Sequence, residues 1–214
     1  METILTLDDL IIPKYDDLIY DVLDHNHTHY TLYGGRGSTK SSFISIAIIL
    51  LILENPDTHA VIFRKVSTTL RDSVFAQALF AISLLGKDAD FKKTVSPMEL
   101  IHKPTGQKIL FRGIDEPEKI KSIKAPFGYF GITWFEELDQ YHGRDEIRTV
   151  LQSTMRGKGG KFWNFESFNP PISRDNWANQ DILDASPDRA IIKTSYLDVP
   201  VEWLSEQFIA EAEN

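Results

Sequence analysis

The residues with the most evident chemistry are Gly34-Gly-Arg-Gly-Ser-Thr-Lys-Ser41. Clustered glycines let successive main-chain N–H groups close around a phosphate. A following lysine reaches the outer phosphates of a nucleotide, and the hydroxyl after it takes a place on Mg2+. Lys40 and Ser41 stand in those two positions, and Gly34, Gly35, Arg36, Gly37, Ser38, Thr39 and Ser42 complete the expected nucleotide-binding set. The pattern G-x-x-x-x-G-K-[ST] asks for glycine where Thr39 stands. A β-branched residue restricts the backbone there, so a locally different loop is expected. A plain glycine-rich turn shares the composition but has no need of Lys-Ser in register at a helix start.

A magnesium-bound triphosphate also needs an acid on a neighbouring strand, and hydrolysis needs a second one to orient or deprotonate water. The apolar run Tyr129–Phe135 ends in Glu136-Glu137. This is a Walker B pattern with glutamate in the place usually taken by aspartate. Glu136 joins Ser41 as the expected metal pair, Glu137 is the expected water activator, and ATP and Mg2+ are the expected ligands. Arg36 inside the glycine loop is a candidate for stabilising charge on the γ-phosphate. Arg156, beside the basic loop 157–161, is a rival acting in trans from a neighbouring subunit.

These residues need elements to hold them. Tyr30–Tyr33 reads as a strand entering the glycine loop, and the helix from about Ser41 ends at Asn55-Pro56. Ala60–Arg64 is a second strand, Arg71–Leu85 has helical spacing, and Met98–His102 with Lys108–Arg112 reads as a β-hairpin. Tyr129–Phe135 is a buried strand, Glu146–Met155 a helix, Phe162–Phe168 and Ala190–Tyr196 strands, and Val201–Ala212 a closing amphipathic helix. Asp8–Asp24 holds a short amphipathic helix. Alternating strands and helices predict an α/β fold: a mainly parallel central sheet flanked by helices, with a β-hairpin insertion and chemistry at the carboxyl ends of the strands.

Composition narrows the classes further. The 214 residues include no cysteine, which excludes a disulfide scaffold, a thiolate zinc site and a thiol nucleophile. Ile46–Leu53, the most apolar run, is too short to span a bilayer and reads as a buried helix; the first ten residues lack the pattern of a leader. A net charge of -8 repels phosphate overall, so contact with nucleic acid must be local. The available clusters are Arg64-Lys65, Lys92-Lys93, Lys119–Lys124 and Arg156–Lys161. His25, His27 and His29 alternate without another ligand type nearby, which argues against a metal site. Trp134, Trp163, Trp177 and Trp203 are assigned to core or interface packing rather than base stacking, and Tyr15 or Tyr30 could stack on adenine.

From about Thr31 to Pro200 the sequence resembles the large terminase subunits of tailed bacteriophages. The resemblance rests on Tyr33–Ser41, Arg64-Lys-Val66 with Thr69–Ser73, Gly113–Ile123, Trp134–Leu138 and Ser167-Phe-Asn-Pro-Pro171, in that order. It implies a RecA-like P-loop ATPase core at 31–214 behind an N-terminal helical segment at 1–30, working as the motor that packages DNA. Ser167 and Asn169 would then fall on the coupling motif that senses the γ-phosphate, and Arg36 resembles the family's loop arginine. Implied partners are double-stranded viral DNA, the portal protein, the small terminase subunit and further copies in a ring. The implied setting is the host cytoplasm and, transiently, the procapsid portal, with no membrane. The family's metal-dependent nuclease domain is not expected within these residues. A P-loop kinase, a non-hydrolytic nucleotide-gated assembly module and, less so, a helicase are the rival readings.

Overall fold

A computed structural model describes residues 6–157 and 160–213. Lys158 and Gly159, part of the expected basic loop, lie outside the described residues, as do residues 1–5 and Asn214. Eight strands form one sheet: β1 (His29–Gly34), β2 (Thr58–Arg64), β3 (Phe91–Val95), β4 (Met98–His102), β5 (Lys108–Gly113), β6 (Tyr129–Glu136), β7 (Trp163–Phe168) and β8 (Arg189–Thr194). Their order is β3-β4-β5-β2-β6-β7-β1-β8, with every pairing from β5 to β8 parallel and the two involving β4 antiparallel. This is the expected mainly parallel sheet with a hairpin insertion. The hairpin gains a third strand, β3, whose mixed Phe-Lys-Lys-Thr-Val pattern carries no strand signal of its own.

Helix α1 (Asp16–Asp24), α2 (Lys40–Glu54) and α3 (Ala76–Leu84) contribute to one core; α4 (Pro117–Lys121), α5 (Arg144–Thr154) and α6 (Trp177–Asp181) border the second. Helix α2 is buried on nearly every side, including Ile44, Ile46, Ile48, Ile49 and Ile52, because it is wedged between the sheet and its neighbours; that explains its all-round apolar sequence. The N-terminal segment joins the same core through Ile12, Tyr15, Ile19 and Val22, and the indole of Trp163 donates to the Val22 carbonyl at 2.9 Å. The expected helix at 201–212 is divided: Val201–Trp203 is a 3-10 turn, and α7 runs from Glu206 to Glu213. The reading of 71–85 as one helix is likewise refined, since Arg71–Phe75 is a π-helical turn before α3.

Between β7, β1 and β8 the second face is held by charge rather than apolar packing. Glu166, 1% exposed, accepts from Thr31 Oγ1 and Asn164 Nδ2, both at 3.0 Å, and pairs with Arg144 and Arg189. Both arginines also hold Asp181 of α6. Burial pushes the Glu166 carboxyl up, but the two guanidinium groups outweigh it and leave its pKa below the usual value. Removing one member of a buried ionic network strands the rest and costs about 3–5 kcal/mol. Glu166→Ala is therefore expected to lower the unfolding free energy by that amount at unchanged m value, as read by equilibrium unfolding in urea.

Candidate active site

The glycine loop follows β1, Glu136 ends β6 with Glu137 next to it, and Asn169 follows β7, so the parallel register brings all three to one carboxyl edge. Helix α2 leaves β1 on one face of the sheet and α6 leaves β7 on the other, which opens a crevice where the connections diverge. The cavity there, about 480 Å3, is lined by Arg36–Ser42, Glu136, Glu137, Ser167, Phe168 and Asn169, with Val199, Trp203 and Leu204 on its far side. The arrangement expected of Lys40, Ser41, Glu136 and Glu137 is present.

Lys40 is 7% exposed. Its ammonium donates to the main-chain oxygens of Gly34 and Gly35 and to Ser38 Oγ, each at 2.9 Å, and to Asn169 Oδ1 at 3.1 Å. All four are neutral acceptors, and among the described residues no carboxylate pairs with it. Desolvation accordingly brings its pKa down to about 8. A buried cation with only neutral partners is a site for an anion.

Thr39 adopts φ 55° and ψ 13°, the left-handed conformation a glycine would take, so the loop keeps its geometry despite the substitution. The expected local departure is thus one of strain rather than shape, on the order of 1–2 kcal/mol. The Tyr15 hydroxyl donates to the Ser38 carbonyl at 3.2 Å and braces the loop from below.

Ser41 Oγ donates to Glu136 Oε1 at 3.2 Å, while Glu136 Oε2 is buried without a hydrogen-bond partner. Burial raises the Glu136 pKa, and Arg64 and Ser41 only partly offset it. A hydroxyl and an unsatisfied carboxylate oxygen side by side fit a hard divalent cation such as Mg2+, which takes oxygen ligands. Glu137 sits at φ 54°, accepts from Gln140 Nε2 at 2.6 Å and pairs with Arg64.

Arg64 itself corrects its grouping with the basic clusters for nucleic acid. It is 8% exposed, lies 3.5 Å from Glu136 Oε2 and contacts Glu137 too, so its charge is committed to the two acids. The signal that finds it is topological: it ends the strand paired beside β6. Lys65 is likewise turned to Glu146 at 2.7 Å.

Arg36 is exposed at the mouth of the cavity and forms no ion pair among the described residues. Arg156 follows α5 near the start of β6, at the amino-terminal edge of the sheet; Gly157 lies against Tyr129. The fold does not bring Arg156 to this chain's own cavity. Ser167 Oγ is taken by the indole N–H of Trp134 at 2.9 Å, and Asn169 touches Lys40 directly.

Adenine stacking on Tyr30 is excluded, because its ring is fully buried on Phe165, whereas Tyr15, buried against Phe43, forms part of the wall of an apolar cavity beside the loop. Trp203 lies outside the core: it is 43% exposed and borders both the cavity beside Lys40 and an adjoining apolar one of about 220 Å3. Leu10, Ile11, Phe43, Phe80 and Leu84 complete the apolar walls. They come from separate stretches of chain, so no local spacing marks them. The three histidines are spent locally: His25 on the Phe162 carbonyl, His27 on Asp21 and His29 on Asn164.

The family model described as phage terminase large subunit matches residues 26–214. Among curated proteins, the large terminase subunit of Bacillus phage SPP1 is 37% identical over 213 residues, covering 97% of this chain and 50% of its own length. The chain spans about half the length of the curated relatives it matches. Among solved structures, the large terminase of a thermophilic bacteriophage superposes with a TM-score of 0.69 at 13% identity over 95% of this chain and 50% of that one. The same phage enzyme in complex with ADP gives 0.67 at 15% identity, over 95% and 49%. The N-terminal domain of the phi29 DNA packaging ATPase gives 0.60 at 13% identity, over 85% of this chain and 97% of that one. These structures share the fold, and with the sequence matches they close the question that the glycine loop and the two acids opened: the chain belongs to the phage terminase large subunit family.

Proposed function

We propose that this chain is the ATP-hydrolysing motor region of a DNA-packaging terminase. The observation that carries the reading is the convergence of a buried, carboxylate-free Lys40 ammonium and two acids on one cavity. The loop amides and Lys40 bind the phosphates; Ser41 and Glu136 hold Mg2+, which supplies charge neutralisation at the phosphates when bound. Glu137 orients water and takes its proton as the water oxygen bonds to the γ-phosphorus and the bridging oxygen leaves with ADP. Arg36 reaches the γ-phosphate from its own loop, and Arg156 acts only on a neighbour's site within a ring. Asn169, already on Lys40, is the part of the coupling motif that senses the phosphate, with Ser167 fixed behind it by Trp134.

The unit comprises 31–214, preceded by the helical segment 1–30, whose described part from Thr6 onward packs against it. Its partners are double-stranded viral DNA, portal protein, small subunit and further copies of itself, in the host cytoplasm and at the portal. No helix among the described residues is long and apolar enough to cross a membrane. The reading assigns no nuclease chemistry to these residues. The base belongs in the apolar slot beside the loop, stacked on Trp203.

Three measurements test this. Glu137→Gln is expected to lower phosphate release at least about a hundredfold, the scale of general-base loss, with ATP affinity within about twofold; undiminished turnover removes Glu137 from catalysis. Trp203→Ala is expected to weaken ATP binding at least about fivefold, since base stacking contributes about 1–3 kcal/mol, while inorganic tripolyphosphate binds as before. The third follows from Lys40. A bound polyphosphate favours its charged form and raises its pKa, so above pH about 8 binding must take up a proton and weaken as pH rises. Calorimetry at alkaline pH in buffers of different ionisation enthalpy reads that uptake, and Lys40→Arg is expected to abolish it.

A further inference from the structure

Charge in this chain is segregated. Residues 87–124 hold nine Lys and Arg against six Asp and Glu, within a chain of net charge -8. They build β3, β4, β5 and α4, the end of the sheet farthest from the phosphate loop. A groove of about 570 Å3 opens there on the carboxyl edge of β5, between the β3–β4 turn, α4 and the turn after β2. Arg112 lies half-buried in it. Its Nη1 donates to the main-chain oxygens of Phe111 at 2.8 Å and Met98 at 3.4 Å, and it forms no ion pair among the described residues. The acids facing it are already engaged: Glu99 with Lys108 at 3.1 Å and Glu116 with Lys119 at 2.6 Å. Lys124, exposed on the same groove, has no ion-pair partner among the described residues.

We propose that this groove is a contact surface for the phosphate backbone of duplex DNA, an inference that rests on the motor reading and locates its track. A polyanion suits it because Arg112 and Lys124, neither in an ion pair among the described residues, are carried by separate elements, and Lys92 and Lys93 extend the cationic surface along β3. A regularly charged polymer meets such a surface, gaining counterion release at each cation. Elsewhere the chain carries an excess of acid and repels phosphate. The groove is also joined to the hydrolysis site by a short path. Ser67, on its rim, is three residues beyond Arg64, and its N–H and hydroxyl are tied to Asp115 at 3.0 and 3.2 Å.

The test is fluorescence anisotropy of a labelled duplex of about 30 base pairs over a salt series starting near 50 mM. The Arg112→Gln/Lys124→Gln variant is expected to bind at least about tenfold more weakly, with the slope of log K against log salt shallower by about 2, one contact for each lost cation. Lys92→Gln/Lys124→Gln, which changes only exposed side chains, is expected to follow, whereas ATP turnover without DNA stays within about twofold. Duplex affinity unchanged in both variants, or no duplex binding by the wild-type chain at the lowest salt, overturns the proposal. Polyglutamate of matched charge competing as strongly as DNA overturns DNA as the occupant. A chain that binds duplex through the groove yet never releases phosphate from ATP would refute the motor reading and leave the groove standing.

Discussion

A buried ammonium surrounded only by neutral oxygens is the constraint on which the active edge of this molecule turns. Desolvating Lys40 costs free energy that the Gly34, Gly35, Ser38 and Asn169 oxygens return only in part, as its lowered pKa records. The loop must therefore be stiff enough to keep the lysine inside rather than let it swing to solvent. That stiffness comes from below: Tyr15 stacks on Phe43 at 4.3 Å between ring centres and holds the Ser38 carbonyl. The segment before β1 thus supports the loop without lining the cavity beside Lys40.

The same logic runs across the sheet. Glu136 and Glu137 are held near the loop only because β6 and β7 stay in register beside β1, with Phe135 opposite Glu166 and Tyr30 opposite Phe165. On one face this register is fixed by apolar packing against α2. On the other it is fixed by Glu166 and its two arginines, a directional arrangement that tolerates no slip, since a one-residue shift would turn the carboxylate into the opposite core. The polar layer beneath the end of β7 and the apolar layer beneath the glycine loop are complementary means of holding one edge.

Much of this was legible in the sequence, for reasons that differ by residue. Lys40 and Ser41 were visible because the loop is local, and Glu136-Glu137 because an apolar strand ending in acids has a direct one-dimensional signature. Arg64 falls among the basic clusters in the sequence because a basic dipeptide looks the same whether it faces solvent or a neighbouring strand's carboxylates. Trp203, Phe80 and Ile11 were out of reach because they meet only after α3, the N-terminal turn and the segment following β8 converge. Strand β3 escaped because its exposed lysines reflect an outer position in the sheet, where pairing with β4 supplies what propensity does not.

Backbone strain is concentrated at the cavity beside Lys40. Of the three non-glycine residues with positive φ among those described, Thr39 and Glu137 border the cavity and His25 caps α1. Each such conformation costs on the order of 1–3 kcal/mol and persists only where its surroundings over-determine it. Thr39 is held because the helix behind it is buried on nearly all sides and cannot retreat. Glu137 is held by its side chain, clasped between Arg64 and Gln140. The two constraints differ in kind: loosening Thr39 would require repacking a core helix, whereas loosening Glu137 requires only the breaking of two polar contacts at a partly exposed carboxylate. Of the two sides of the cavity, the glycine loop is therefore the fixed wall and the Glu137 side the adjustable one.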